Sequence, residues 1–178
     1  MDIAAEITSP SGVSLPDVTV SFDDGSDVIT IQTIESGLSN AAITNGSDIL
    51  ISGSLDYVSS SKSISSQDAL DALRLAVGMD TQNGSSTAFD YIAADFNQDG
   101  KVTSSDALEI LKYAVGLPTT EQAEWVFVDT NGDYSSVGKS NTNYTEGVSI
   151  GDLTSDMTVG LTGILIGDVN DSYSGLIA

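Results

Sequence analysis

The chain has 178 residues, and 26 acidic side chains face five basic ones, for a net charge of −21. That balance excludes nucleic acid as a partner and disfavours an anionic membrane surface, because no basic patch exists to neutralise phosphates. Cysteine and histidine are both absent, which removes disulfides, thiol nucleophiles, His-based acid–base chemistry and zinc sites of the Cys/His type.

Twenty of the acids are Asp and only six are Glu. Solubility alone would be served equally well by Glu, whereas Asp favours turns, helix N-caps and tight calcium loops. A solvated acidic surface accounts equally well for many of them. No apolar run approaches the roughly 18 residues needed to span a bilayer. Met1 to Pro10 lacks the basic and apolar regions of a signal peptide. The expectation is a piece of a longer secreted protein, or export by a route that this end does not show.

In chain order, the first sixty residues read as short strands. Val18 to Phe22 alternates apolar and polar, Asp23-Asp24-Gly25-Ser26 makes a turn, and Val28 to Ile31 resumes a strand. Ile49 to Ile51 fits another, and the spacing predicts a small antiparallel β-sandwich. The middle changes period. Asp68 to Val77 has helical spacing, with Leu70, Leu73 and Val77 on one face, Ser65 or Ser66 as cap and Gly78 as stop. A second helix is predicted from Ser104 to Val115, with Leu108, Leu111 and Val115 on one face, stopped by Gly116 and Pro118. Strands return with Trp125 to Val128 and with one or two between Met157 and Val169.

The two helices form an internal repeat. Ile64–Met79 aligns with Val102–Leu117 at an offset of 38 residues, with eight of sixteen positions identical. Two copies of one supersecondary unit, related by a local pseudo-twofold axis, are the natural reading. The expected fold is therefore mixed β with a small α insert: antiparallel β-sandwich segments at 1–58 and 119–178 flank a helical repeat at 59–118. The terminal strands either share one core or form two separate β units.

The segment from Asp95 to Asp106 places oxygen ligands where a twelve-residue EF-hand loop needs them. Asp95, Asn97 and Asp99 take positions 1, 3 and 5. Gly100 at position 6 permits the sharp turn, and Lys101 at position 7 offers its backbone carbonyl. Val102 anchors the loop to the core, Thr103 at position 9 would reach the metal only through water, and Asp106 at position 12 chelates. Calcium is a hard cation that takes six to eight oxygens, and alternate residues in a tightening loop turn their side chains inward.

The run Asp95 to Gly116, D-F-N-Q-D-G-K-V-T-S-S-D-A-L-E-I-L-K-Y-A-V-G, resembles the repeat of dockerins, the calcium-dependent modules that bind cohesins. The resemblance covers about residues 57 to 118. It implies two loop–helix repeats with Asp at position 12, no entering helix, a calcium-stabilised helix pair and a cohesin-like partner. It also implies partner contacts at Ser104 and Ser105, and at Ser66 and Gln67, although helix N-capping is the other role open to these residues. The wider pattern, acidic strands around such a pair, resembles large bacterial surface proteins of the adhesin type.

The first repeat departs from the pattern. Counted back from Asp68 as position 12, positions 1, 3, 5 and 6 are Tyr57, Ser59, Ser61 and Lys62, so this loop has lost its ligands. The segment Asp168-Val169-Asn170-Asp171-Ser172 has the complementary defect, reading as the first half of such a loop. The expectation is that it folds back onto the start of the first helix, so that Asp168, Asn170, Ser172 and Asp68 form a composite calcium site. An ordinary acidic tail is the alternative. A weaker candidate is Asp129, Asn131 and Asp133, with the 1, 3, 5 spacing but Ser140 at position 12; a hairpin turn explains it equally well.

These features point to a calcium-binding, non-catalytic extracellular module of a surface or adhesion protein, with calcium as its only cofactor. The alternatives are a module that docks a cohesin-like partner and a carbohydrate-binding sandwich using Trp125 or Tyr91. An enzyme fits least, since no pair of carboxylates is singled out.

Overall fold

The computed structural model describes residues 1–58 and 62–173. Ser59 and Ser61 of the degenerate loop lie outside the described residues. The chain divides into two compact units, neither continuous in sequence.

The first unit comprises residues 1–55, 126–132 and 145–163. Its strands are β1 (Asp2–Thr8), β2 (Thr19–Asp23), β3 (Val28–Gln32), β4 (Leu38–Ala42), β5 (Ile49–Ser54) and β7 (Val148–Ile150). Most of β6 (Trp125–Asp129) and β8 (Met157–Leu165) completes it. They form two four-stranded sheets, ordered β4-β1-β8-β6 and β3-β2-β5-β7. All sheet pairings recorded between these strands are antiparallel except β1 with β8, which run parallel from Ile3 opposite Met157 to Thr8 opposite Thr162.

Period-2 patterning explains the faces. Ile3, Ala5 and Ile7 of β1 and Val20 and Phe22 of β2 point inward and have no exposed surface. The two sheets meet where Gly53 of β5 lies against the Phe127 ring of β6; a Cβ on Gly53 would fall 2.6 Å from that ring. Strands from both ends of the chain lie side by side in each sheet. Residues 119–178, expected as one β segment, are divided: 119–125, 133–144 and 164–178 belong to the other unit.

The second unit comprises residues 56–125, 133–144 and 164–178. It contains α1 (Ser66–Ala76), α2 (Ala88–Ala94) and α3 (Ser104–Ala114). Each helix starts with a capping box, at Ser65, Thr87 and Thr103, in which an Asp at the third helical position reaches back to the cap. Helices α1 and α3 pack against each other. Ala69, Ala72 and Leu75 of α1 and Ala107 and Ile110 of α3 are buried, as are Ile92, Ala94 and Phe96.

One expectation changes here. The family pattern has no entering helix, yet α2 occupies the second half of the stretch from 80 to 94 and runs directly into the loop at Asp95. The faces that carry Leu70, Leu73 and Val77 on α1 and Leu108, Leu111 and Val115 on α3 are not the buried ones. Leu70, Leu73, Leu108 and Leu111 are 40–52% exposed, and Val77 and Val115 more so, at 63% and 61%. Small alanines and single large residues fill the interior, so the wider apolar stripe is left at the surface.

Candidate calcium sites

The Asp95 loop is built by a helix, two backward turns and a second helix. Asp95 caps the C-terminus of α2. Its Oδ1 accepts the Asp99 N–H at 3.1 Å and its Oδ2 the Gly100 N–H at 2.9 Å. Asn97 Oδ1 also accepts the Asp99 N–H, at 3.0 Å, and Asp99 Oδ1 accepts the Lys101 N–H at 3.1 Å. The backbone turns through left-handed conformations at Gln98 (φ 55°) and Gly100 (φ 88°), and the second suits glycine because it lacks a Cβ.

Asp106 closes the loop from the start of α3. Its Oδ1 accepts the Asn97 N–H at 3.2 Å. Its Oδ2 accepts the N–H and the hydroxyl of Thr103, both at 2.9 Å. Asp106 has no exposed surface and Asp95 only 5%. Burial pushes the Asp95 carboxyl above its ordinary range against hydrogen bonds from Thr142 and Gly100, and the charges of Asp106 and Asp99 add to the rise. Thr142 is a partner that the loop spelling does not reveal: its hydroxyl donates to Asp95 Oδ2 and its N–H to the Gly100 carbonyl. Val102, buried at position 8, donates its N–H to the Lys139 carbonyl at 2.8 Å, while the Lys101 side chain is exposed.

The donors suit calcium: three carboxylates, one amide oxygen and one carbonyl, all hard oxygens, with carboxylates crowded enough to repel one another. Among the described residues no group of three or more Asp, Glu, His or Cys side chains forms a metal cluster; backbone N–H groups hold these carboxylates instead.

The structure also brings Asp68, Asp168, Asn170 and Ser172 together. Asp168 accepts the N–H and hydroxyl of Ser172 on Oδ1, at 2.9 and 3.1 Å, and the Tyr173 N–H on Oδ2 at 2.9 Å. The Asn170 N–H donates to Asp68 Oδ1 at 3.2 Å across 102 residues. Asp68 Oδ2 accepts the N–H and hydroxyl of Ser65 at 2.8 and 2.9 Å. Ser63, which the sequence did not single out, accepts the Ser172 hydroxyl on its carbonyl at 2.8 Å. Burial pushes Asp168 up to about 7, helped by the nearby Asp68 charge; Asp68 is raised for the same first reason.

The weaker candidates are caps of their own turns. Asp129 accepts the Asn131 N–H at 2.8 Å and Asp133 the Ser135 N–H at 3.0 Å, a pattern that ordinary Asx turns produce. Trp125 is 8% exposed and meets the Tyr173 ring edge-on at 4.8 Å, so it offers no flat platform for a sugar.

A capped loop, a following helix and a second helix related to it by sequence repeat define an EF-hand-type loop–helix pair. The dockerin type I domain family model matches residues 61–114 and, overlapping them, residues 93–135. The stretch from 61 to 135 is therefore dockerin-like, as its loop and repeat imply. Among curated proteins, none matches the chain. The type I dockerin is a calcium-binding, non-catalytic module that docks cohesins. No helix among the described residues is long and apolar enough to cross a membrane.

Proposed function

We propose that this chain is a calcium-ordered, non-catalytic extracellular module whose helical unit docks a cohesin-like, strand-rich protein partner. The observation that carries this reading is the exposed apolar face shared by α1 and α3. Leu70 and Leu73 on one helix, and Leu108 and Leu111 on the other, line one groove together with Ser66 and Ser104. The repeat presents the same residue types twice, and monomeric proteins rarely leave such a patch without a use. Calcium at Asp95, Asn97, Asp99, Lys101 and Asp106 would fix the start of α3 and so hold half of that face.

A second reading is a structural module of a bacterial surface or adhesion protein, in which calcium only stiffens the fold. It is supported by the eight-stranded unit that shares the chain, and by an acidity that calcium partly offsets. One experiment separates the two. Recombinant cohesin-like domains from the same organism are titrated against the chain in calcium and in chelator. Docking predicts binding that needs calcium and that Leu70→Lys with Leu108→Lys abolishes. No binding by any such domain, with calcium-dependent melting retained, leaves the structural reading.

A further inference from the structure

We propose that residues Ser63–Asp68 and Asp168–Tyr173 form a second calcium-binding loop of the same kind, cut between its sixth and seventh positions. The segment that follows β8 supplies Asp168, Asn170 and Ser172 as positions 1, 3 and 5. The start of α1 supplies the Ser63 carbonyl as position 7 and Asp68 as position 12.

The hydrogen bonds at positions 1, 3, 9 and 12 repeat those of the intact loop. Position 1 accepts from the N–H groups of positions 5 and 6 in both: Asp95 from Asp99 and Gly100, Asp168 from Ser172 and Tyr173. Position 3 donates its N–H to position 12 at 3.2 Å in both. Position 12 accepts the N–H and hydroxyl of position 9 in both, Thr103 and Ser65. Position 4 is left-handed in both, Gln98 at φ 55° and Asp171 at φ 49°. Position 8 is a buried aliphatic in both, Val102 and Ile64.

Equivalent geometry shows only that a loop is there. Two further observations point to a cation. Asn170 Oδ1 is completely buried and accepts no hydrogen bond, whereas its counterpart Asn97 Oδ1 is held by the Asp99 N–H. A buried amide oxygen without a partner is costly, and at position 3 it is the atom that would ligate. Asp68 and Asp168 are also 0% and 4% exposed, and among the described residues no lysine or arginine forms an ion pair with either. Buried carboxylates without a counter-charge are unfavourable unless a proton or a cation neutralises them, and a cation can join the two. The donors are again all oxygen, and Ser172 stands at the surface, leaving a way in.

The split site has two carboxylates where the intact loop has three, so it should bind calcium more weakly and fill second. This inference extends the calcium reading to another place and does not depend on docking. Extracellular calcium modules bind at about 10⁻⁴–10⁻³ M, so titration must reach millimolar calcium. Calorimetry on the full chain should give two ions, while Asp168→Asn with Asn170→Ala should give one, with the tighter ion retained. Asp99→Ala should spare the weaker ion. Asp168→Asn alone keeps the shape and most hydrogen bonds, and helical circular dichroism verifies that it folds. Two ions in the double variant, or one ion in the parent chain that only Asp99→Ala removes, would overturn the split site and leave the intact loop standing. No calcium at all in the parent chain would overturn both.

Discussion

Asn170 reaches back over 102 residues to give its N–H to Asp68 at 3.2 Å, and Asn97 gives its own to Asp106 over nine residues at the same distance. One loop geometry is thus made once from continuous chain and once from two distant pieces. The first version costs little chain entropy to close, whereas the second needs the rest of the unit in place before its ends can meet.

Calcium removal should therefore destabilise the helical unit. A site held at 100 times its dissociation constant adds about 2.7 kcal/mol. For a unit of about 100 residues, that corresponds to a melting temperature higher by roughly 10 °C or more. Calorimetric melting with calcium and with chelator should show this difference. Coincident curves would contradict the calcium reading.

Asp106→Ala should act in two separable ways. It removes the partner of the Thr103 N–H and hydroxyl at the cap of α3, which should cost about 1 kcal/mol even without calcium. It also removes a calcium ligand, so the loss should be larger when calcium is present. Denaturant unfolding in both conditions gives the two values, and equal losses would mean that Asp106 only caps.

The calcium-free protein should lose stability as pH rises from about 4 to about 7. Burial raises Asp168 to about 7 and lifts Asp68 and Asp95 in the same direction. The unfolded chain has already lost these protons near the ordinary value of 3.8. In that window the folded state binds more protons, so stability falls with rising pH. Calcium takes the place of those protons, so its affinity should rise over the same range. Melting at several pH values, with and without calcium, measures both slopes.

Leu70→Lys and Leu108→Lys should change stability by no more than about 0.5 kcal/mol, since both side chains are half exposed. Ile110→Ala, with no exposed surface at the same helix pair, should cost about 2–5 kcal/mol. Urea unfolding of the three variants distinguishes a surface reserved for a partner from a poorly packed core.

Gly167→Ala should damage the helical unit. Gly167 has φ +101°, and a Cβ there would lie 2.9 Å from Ile64 and 3.0 Å from Phe96, the residues at position 8 of one loop and position 2 of the other. A loss of about 1–3 kcal/mol is expected, together with weaker calcium binding at the adjacent Asp168.

The local features are legible in the residues alone. D-x-N-x-D-G followed by an acid at position 12 specifies a loop because its hydrogen bonds run between near neighbours. Ser65 and Thr103 cap their helices for the same reason, and the period-2 runs at Val20 and Phe22 locate a strand. The sequence also carried the two halves of a second loop, at Asp68 and at Asp168 to Ser172, because each half keeps its own spacing. The α2 helix escaped notice because a seven-residue segment shows too little periodicity. The burial of the alanines rather than the leucines of α1 and α3 escaped because both faces of those helices are apolar, and only the close packing of the two axes decides which one is covered. Thr142 at Asp95 and the Ser63 carbonyl beside Ser172 were equally invisible, since partners from distant chain leave no spacing to read. The complementary halves suggested that Asp168 meets Asp68 but left an ordinary acidic tail equally open, and tertiary structure decided between them, because a contact across 100 residues depends on the path of everything between them.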